Sequence, residues 1–436
     1  MQDWRGTLAE TSDESVARPR GGAFRLLRRN RDFRVLWTAR AVSVLGDSLG
    51  LVALLVHLQA EAGAAVAVAL LLLAGDCVPG LFGPVAGLIS DRFGLRRVMI
   101  ACEVVQGLLV LAIAAALPPL PVLLVLVAAR GIGATTFIAA SRSAVPRMVD
   151  EDDLEAANSA LGVGTYGLEA LGPLIAAALF TLSGIRGVLL VDVATFAVSA
   201  LVLARLPALG SALRAAAGDG APSDGALADG APPVGWYREL TAGFVHLRSI
   251  PTVRVIAAGF VGVVAFSGVD DVALVFLARD ELGGSSSDAA ILYAGVGIGL
   301  LFGYLLLGRV GGRWPALGLL LVGFVVSSAG NLVTGLAGSI AAAMVLQTLR
   351  GAGIAALDVG VNTHLQRIVP PAVLGQAFGT LYGAIGLAAG LSYALGGLLL
   401  AATDARITFV VAGAGGLLVS AAAAVALRRA ARRPAT

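Results

Sequence analysis

The sequence predicts an all-α integral membrane protein: twelve transmembrane helices in two pseudo-symmetric six-helix bundles. Three observations carry that expectation. The chain is too apolar for a soluble globule, its apolar runs recur at membrane-spanning length, and its second half echoes its first. Of 436 residues, 58% are hydrophobic and 14% charged, with a mean hydropathy of +0.88. A soluble domain carries about a quarter charged residues, so this chain lacks the polar surface to cover itself and must be solvated by lipid.

A helix needs about 20 mostly apolar residues to span a bilayer. Twelve stretches qualify: 33–60, 64–88, 96–117, 120–145, 155–182, 186–206, 252–278, 288–309, 314–336, 338–362, 373–401 and 404–428. They are numbered spans 1 to 12 below. The Gly-, Ala-, Pro- and Asp-rich stretch 207–235 has no apolar period and reads as a flexible linker. The predicted organisation is therefore a polar tail (1–32), a first bundle (33–206), a linker (207–251), a second bundle (252–428) and a short tail (429–436). Within the linker, "WYRELTAGFVHLRSI" places its apolar residues largely on one helical side. It suits a helix on the membrane surface, or equally an extension of span 7.

Arginine sets the expected orientation. The chain has no lysine, so all 31 basic residues are arginine. The tails and the loops after spans 2, 4, 6, 8 and 10 hold 25 of them. The opposite loops hold three, Arg186, Arg279 and Arg406, and three more lie within spans. Arginine is retained on the cytoplasmic side, which predicts both termini inside, in the cell membrane. The first 32 residues are polar, which argues against a cleaved secretory signal.

Composition also bounds the chemistry. Without lysine there is no phosphate-binding loop of the ATPase kind. The two cysteines, Cys77 and Cys102, sit in apolar runs, and the three histidines are scattered. Neither a metal site, a cofactor nor a disulfide framework is expected, and no nucleophile–base pair suggests an enzyme.

The internal repeat appears at a shift of 220 residues. "RGIG" at Arg130 then meets "RGAG" at Arg350, and Arg147, Val149, Leu154 and Leu161 meet Arg367, Val369, Leu374 and Leu381. Intramembrane arginine is rare, so the pairing of Arg130 with Arg350 carries most of the weight. Two similar halves around a central path are common among secondary transporters.

Charge inside the spans marks the candidate pathway, because each such residue costs at least a few kcal/mol. The set is Arg40, Asp47, Asp76, Glu103, Arg130, Glu169, Asp192, Asp270, Asp271, Arg350 and Asp358. Asp47, Asp76, Arg130, Glu169 and Arg350 fall near mid-membrane. Arg40 and Asp47 share a face of span 1, and Asp358 shares a face of span 10 with Asn362. Asp76 and Asp192 read as structural partners, and Glu103 as support for nearby loop arginines. Arg130 and Arg350 read equally as pathway groups or counter-charges to the acids. Adjacent residues on a helix diverge by about 100°, so only one of Asp270 and Asp271 can point squarely inward.

Between spans 2 and 3 stands "GLISDRFGLRR". Gly87 would allow close helix approach and Gly94 a tight turn. Asp91 could pair with Arg92, Arg96 or Arg97, or face the positive end of a helix. The pattern G-x-x-x-D-R-x-G-x-R-R resembles the signature loop of the major facilitator superfamily, complete at every position. The stretches "FRVLWTARAVSVLGDSLGLVALLV" and "SRSAVPRMVDEDDLEAANSALG" are similar to bacterial drug and siderophore exporters of that superfamily. After span 8 only "GRVGGRWP" stands, without the acid. In span 5, Gly162, Gly164, Gly167, Gly172 and Pro173 resemble an antiporter signature whose last glycine pair is here Ala176 and Ala177.

The resemblance implies that spans 1, 4, 7 and 10 line a central cavity. Seven of the eleven intramembrane charges lie there. It also implies that Asp91 faces the start of span 11 near Val373, as a latch between the halves. The expected activity is proton-coupled export of a small amphipathic or cationic molecule by alternating access. The expected partners are that substrate, protons and the bilayer, with no nucleic acid and a monomeric working unit. An importer or lipid flippase of the same fold, or a non-transporting sensor or scaffold, are the alternative readings.

Overall fold

The computed structural model describes residues 22–59, 67, 70–208, 248–284, 286–310 and 313–431. Most of the N-terminal tail, most of the linker with its candidate surface helix, and the last five residues lie outside these. So do the side chains of Asp76 and Asp271.

The described chain is helical, with no strand among the described residues. That is the form a lipid-solvated chain requires, since each backbone group must bond internally. Span 1 is Arg31–Gln59, span 3 Leu95–Ala116, span 4 Leu120–Ala144, and span 8 Ser286–Val310. Spans 9 to 12 are Ala316–Thr334, Ile340–Ile368, Leu374–Ala402 and Ala405–Ala431. Nine described helical stretches are long and apolar enough to cross a membrane. The other three positions are irregular or more polar.

Span 2 bends by 55° between Leu70–Leu81 and Gly83–Arg92. A π-turn at Leu73–Cys77 and Pro79 precede the bend, and Pro84 follows it. Proline removes an amide donor and displaces the preceding turn. Spans 5 and 6 run as Leu154–Leu203, broken at Gly184, whose φ of 64° is open to glycine. Span 7 is Pro251–Ser267 followed by Asp270–Phe276. At its break Gly268 lies against Ser392 of span 11, whose hydroxyl accepts the Val269 amide at 3.0 Å.

Within the polar N-terminal segment, Ala23–Arg29 is a helix that buries Leu26 against the first bundle, and the Asn30 side-chain amide donates to the Met148 carbonyl.

Two core clusters fill the first bundle. One is centred on Phe33, Leu36, Met99 and Leu154 at the arginine-rich end. The other is centred on Leu49, Leu58, Ile113 and Phe196 at the opposite end. In the second bundle Phe324, Val361 and Phe378 form the arginine-rich cluster, and Ala139 of span 4 inserts into it. Leu274, Leu292 and Phe409 form the opposite one. The halves therefore meet at the arginine-rich end.

Candidate functional site

The first contact between halves is made by glycine. Gly80, Gly83 and Gly87 of span 2 lie against Gly375, Gly379 and Gly383 of span 11, backbone on backbone. A side-chain carbon on Gly83 or Gly87 would enter the opposing main chain. At the end of this crossing Asp91 is 1% exposed. Its carboxylate accepts the amides of Gly375 at 2.7 Å and Gln376 at 2.9 Å. These are orphan donors of the first turn of span 11, where the helix dipole favours an anion. Of the two options open to Asp91, this is the one adopted; Arg147, from the loop after span 4, is its nearest electrostatic counterpart.

The loop arginines do other things. Arg96 donates to the Ala204 carbonyl at 2.6 Å, while Arg92 and Arg97 are exposed. Gly94 has φ −63° and ψ 126°, a conformation any residue adopts. With Phe93 it forms the short turn between the helices that end at Arg92 and begin at Leu95.

A buried polar cluster lies beside the latch. Asp358 accepts from Asn362 at 2.8 Å and Tyr382 at 3.2 Å on Oδ1. On Oδ2 it accepts from Tyr304 at 3.0 Å and Arg142 at 3.4 Å. Arg142 also donates to Asn158 at 3.0 Å and stands over the Tyr382 ring. Asn158 donates across the halves to Gln366 at 2.7 Å and Thr363 at 3.0 Å, and Gln366 returns a bond to the Arg142 carbonyl. Outside this core, Arg367 forks onto Glu155 at 2.8 and 3.0 Å. Tyr166 of span 5 stacks on Tyr304 of span 8 at 5.5 Å. Asp358 thus lies inside this buried hydrogen-bonded cluster. Arg40 is 7% exposed and donates to Ser141 at 2.9 Å and Thr165 at 3.3 Å. It shares a face with Asp47 without pairing to it.

Deeper in, each half holds an arginine–aspartate pair: Arg130 with Asp47, and Arg350 with Asp270. The arginines are the two related by the internal repeat, each reaching from the fourth helix of its half to the first. The pairs differ in burial. The Asp47 and Arg130 side chains are 30% and 21% exposed, whereas Asp270 and Arg350 are 3% and 8%. The second pair is also braced: Asn331 donates to Asp270 at 3.3 Å, Arg350 to Gln347 at 3.1 Å, and Gln347 to Thr334 at 3.2 Å. Of the Asp270–Asp271 pair, Asp270 is therefore the partnered, inaccessible acid. Glu169 is exposed beside Tyr166, and its carbonyl accepts from Ser48.

Glu103 corrects its expectation. It does not reach the loop arginines but is fully buried and accepts from Ser43 of span 1 at 3.2 Å. The helical turn carries it to the bundle interior, while Arg96 and Arg97 sit about two turns away at the surface.

The sequence reading missed Arg142, Asn158, Tyr304 and Tyr382. Arg142 was counted among the inner-side arginines because it ends span 4. Its signal was positional: the repeat sets Arg142 opposite Asn362, four residues from Asp358 on the same helix. The tyrosines had no signal short of the fold.

The chain resembles known proteins throughout its length. The family model for the Major Facilitator Superfamily matches residues 36–279 and 270–436. Macrolide efflux protein A of Streptococcus pyogenes is 26% identical over 187 residues, 41% of this chain and 45% of that protein. The match thus spans under half the length of that relative. An uncharacterized transporter of the superfamily, YfiS of Bacillus subtilis, is 24% identical over 397 residues, 89% of this chain and 91% of that one. Among solved structures, the human organic anion transporter MFSD10 aligns with a TM-score of 0.73 at 16% identity, covering 90% of this chain and 99% of that one. A bacterial homologue of the iron transporter ferroportin, in its outward-facing state, aligns at 0.69 with 19% identity, covering 92% and 100%. With the repeated halves, the glycine crossing and the complete signature loop, these matches place the chain in the Major Facilitator Superfamily of membrane transporters.

Proposed function

We propose that this chain exports a small amphipathic or cationic compound in exchange for protons, by alternating access, as a monomer in the cell membrane with both termini cytoplasmic. The observation that carries the reading is the division of charge along the bundle. The arginine-rich end is sealed by the Asp91 latch and the Arg142–Asp358 cluster. The Asp47–Arg130 pair and Glu169 keep partial exposure deeper in. A carboxylate held by one guanidinium in a partly wet site can exchange that partner for a proton or a cationic substrate, but not both at once. That competition is the chemical basis of antiport.

In this reading Arg40, Asp47, Arg130 and Glu169 line the pathway in the first half. Arg350 and Asp270, with Asp271 and Asp358, set the geometry of the second. Gly87, Asp91, Arg92, Gly94, Arg96 and Arg97 form the gating loop. The named efflux function of the streptococcal relative makes macrolides the first compounds to try. Everted vesicles carrying the protein should accumulate a radiolabelled macrolide, or a member of a panel of amphipathic cations, when acidified inside. Nigericin should abolish the accumulation. Uptake that ignores the pH gradient for every compound transported would refute proton exchange and favour the importer or flippase reading.

A further inference from the structure

Within the first bundle lies a cavity that shares only Arg130 with the pathway above. Its walls come from Leu54, Leu71, Val110 and Val127, and its floor from Arg130 and Asp192. The volume is 80 Å³, enough for a short file of roughly five waters. Leu51 and Leu72, also on its wall, are 40% and 42% exposed, and both lie on the half of the bundle away from the arginine-rich end.

Asp192 is fitted to this place. It is 1% exposed, and its Oδ1 has no hydrogen-bond donor. Span 1 makes room for the carboxyl group with Gly46 and Gly50, one turn apart; a side-chain carbon on either would strike an Asp192 oxygen. A structural aspartate would be expected to have its oxygens satisfied. The neighbouring Thr195 hydroxyl gives its proton to the Asp192 main-chain carbonyl at 2.7 Å, and its oxygen lies within hydrogen-bond reach of the Asp192 side chain.

The charged groups facing Asp192 are Asp47 from span 1, Glu103 from span 3 and Arg130 from span 4. Asp47 and Asp192 thus face one guanidinium, with Glu103 beside both acids. Glu103 has Ser43 as a donor on one oxygen, with Ser199 also within hydrogen-bond reach. Ionising all three would leave two uncompensated negative charges, and since Asp192 and Glu103 are closed to water this would cost several kcal/mol per ion. Electroneutrality is met when protons, not further cations, occupy the excess acids.

We propose that Asp192 is a proton-binding site, fed through this cavity from the side opposite the arginine-rich end, and that it exchanges its proton with Asp47 through their shared neighbour Arg130. The exchange conserves charge. With Asp192 protonated, Arg130 pairs with ionised Asp47, as observed. When the proton leaves Asp192 and arrives on Asp47, carried by cavity water, Arg130 turns to ionised Asp192 and Asp47 is released. One O–H bond breaks at Asp192 and one forms at Asp47, no bond between heavy atoms changes, and the guanidinium stays ionised throughout. The assignment deepens the proton-exchange reading and rests on it, but its test needs no substrate.

The experiment is infrared difference spectroscopy of the purified protein in lipid discs, stepped in pH, in H2O and D2O. Wild type should show a buried carboxylic-acid carbonyl band that shifts in D2O and bleaches as pH rises. Asp192→Asn should lose the component of that band that exchanges through the cavity, and Glu103→Gln should keep that component. An unchanged band in folded Asp192→Asn would overturn the proposal. Gly75→Leu tests the route with Asp192 in place, since Gly75 borders the cavity and its added carbon meets only Val127, at 3.7 Å. It should slow deuterium exchange of the band at least tenfold; exchange at the wild-type rate would overturn access by this cavity. The vesicle assay is independent: an Asp192 band without gradient-driven transport would remove the antiport reading alone, and transport without the band would remove Asp192 alone.

Discussion

Neutralising Asp91 isolates the latch. Asp91→Asn keeps the shape of the side chain but leaves one oxygen to face two amides, those of Gly375 and Gln376. The second amide then meets an NH2 group. The loss is one charge-assisted hydrogen bond, about 1.5–3 kcal/mol, and the favourable charge at the helix terminus, about 0.3–1 kcal/mol. Burying a neutral amide costs less than burying a carboxylate, so the net sits at the low end, about 2 kcal/mol. At 1.36 kcal/mol per tenfold, the closed-to-open ratio of the arginine-rich end should fall ~30-fold. Ala139 reports it. This residue of span 4 is 1% exposed and buried in the second half's core, so it meets solvent when the halves part there. With Cys77 and Cys102 replaced by alanine, the labelling rate of Ala139→Cys by a small thiol reagent is proportional to the open fraction. It should rise ~30-fold when Asp91→Asn is added. An unchanged rate in folded protein would refute the latch.

Gly83→Leu forces a side chain into the main chain of span 11 and should also speed Ala139→Cys labelling, because a backbone contact cannot repack around it; labelling at the parent rate would show that the crossing yields. Asp270→Asn strands buried Arg350 and should cost about 3–5 kcal/mol, read as a fall in melting temperature in detergent, with recovery when Arg350→Met is added. Asp47→Asn removes a pair that is 30% and 21% exposed, so the melting temperature should change much less while gradient-driven transport is lost; the reverse ranking of the two variants would show that pathway and scaffold have been exchanged. In intact cells, Phe93→Cys should resist an impermeant thiol reagent and Thr403→Cys should react, although both positions are exposed; labelling of Phe93→Cys would invert the orientation.

The sequence by itself determined the solvent, the element type and the arginine asymmetry. Lipid excludes unpaired backbone, so apolar runs of span length have one form available, and the spans fall within a few residues of expectation. It also determined which charges are costly, since depth in a span follows from counting at 1.5 Å per residue. It did not determine who pairs with whom. Arg40 and Asp47 share a face of one helix, yet Asp47 pairs with Arg130 and Arg40 with Ser141 and Thr165. Partners across helices depend on the rotation of each helix about its axis, which glycine crossings such as Gly83 against Gly379 fix and composition does not. The same rotation turned Glu103 inward and brought Arg142 to Asp358 across a separation of 216 residues. The breaks at Phe82 and Gly184 were written in proline and glycine, but only packing decided which of many such residues bend the chain. Asp192 shows the limit most plainly: a lone acid in an apolar run reads as a structural partner until its neighbours are seen to be two glycines, two further acids and one arginine.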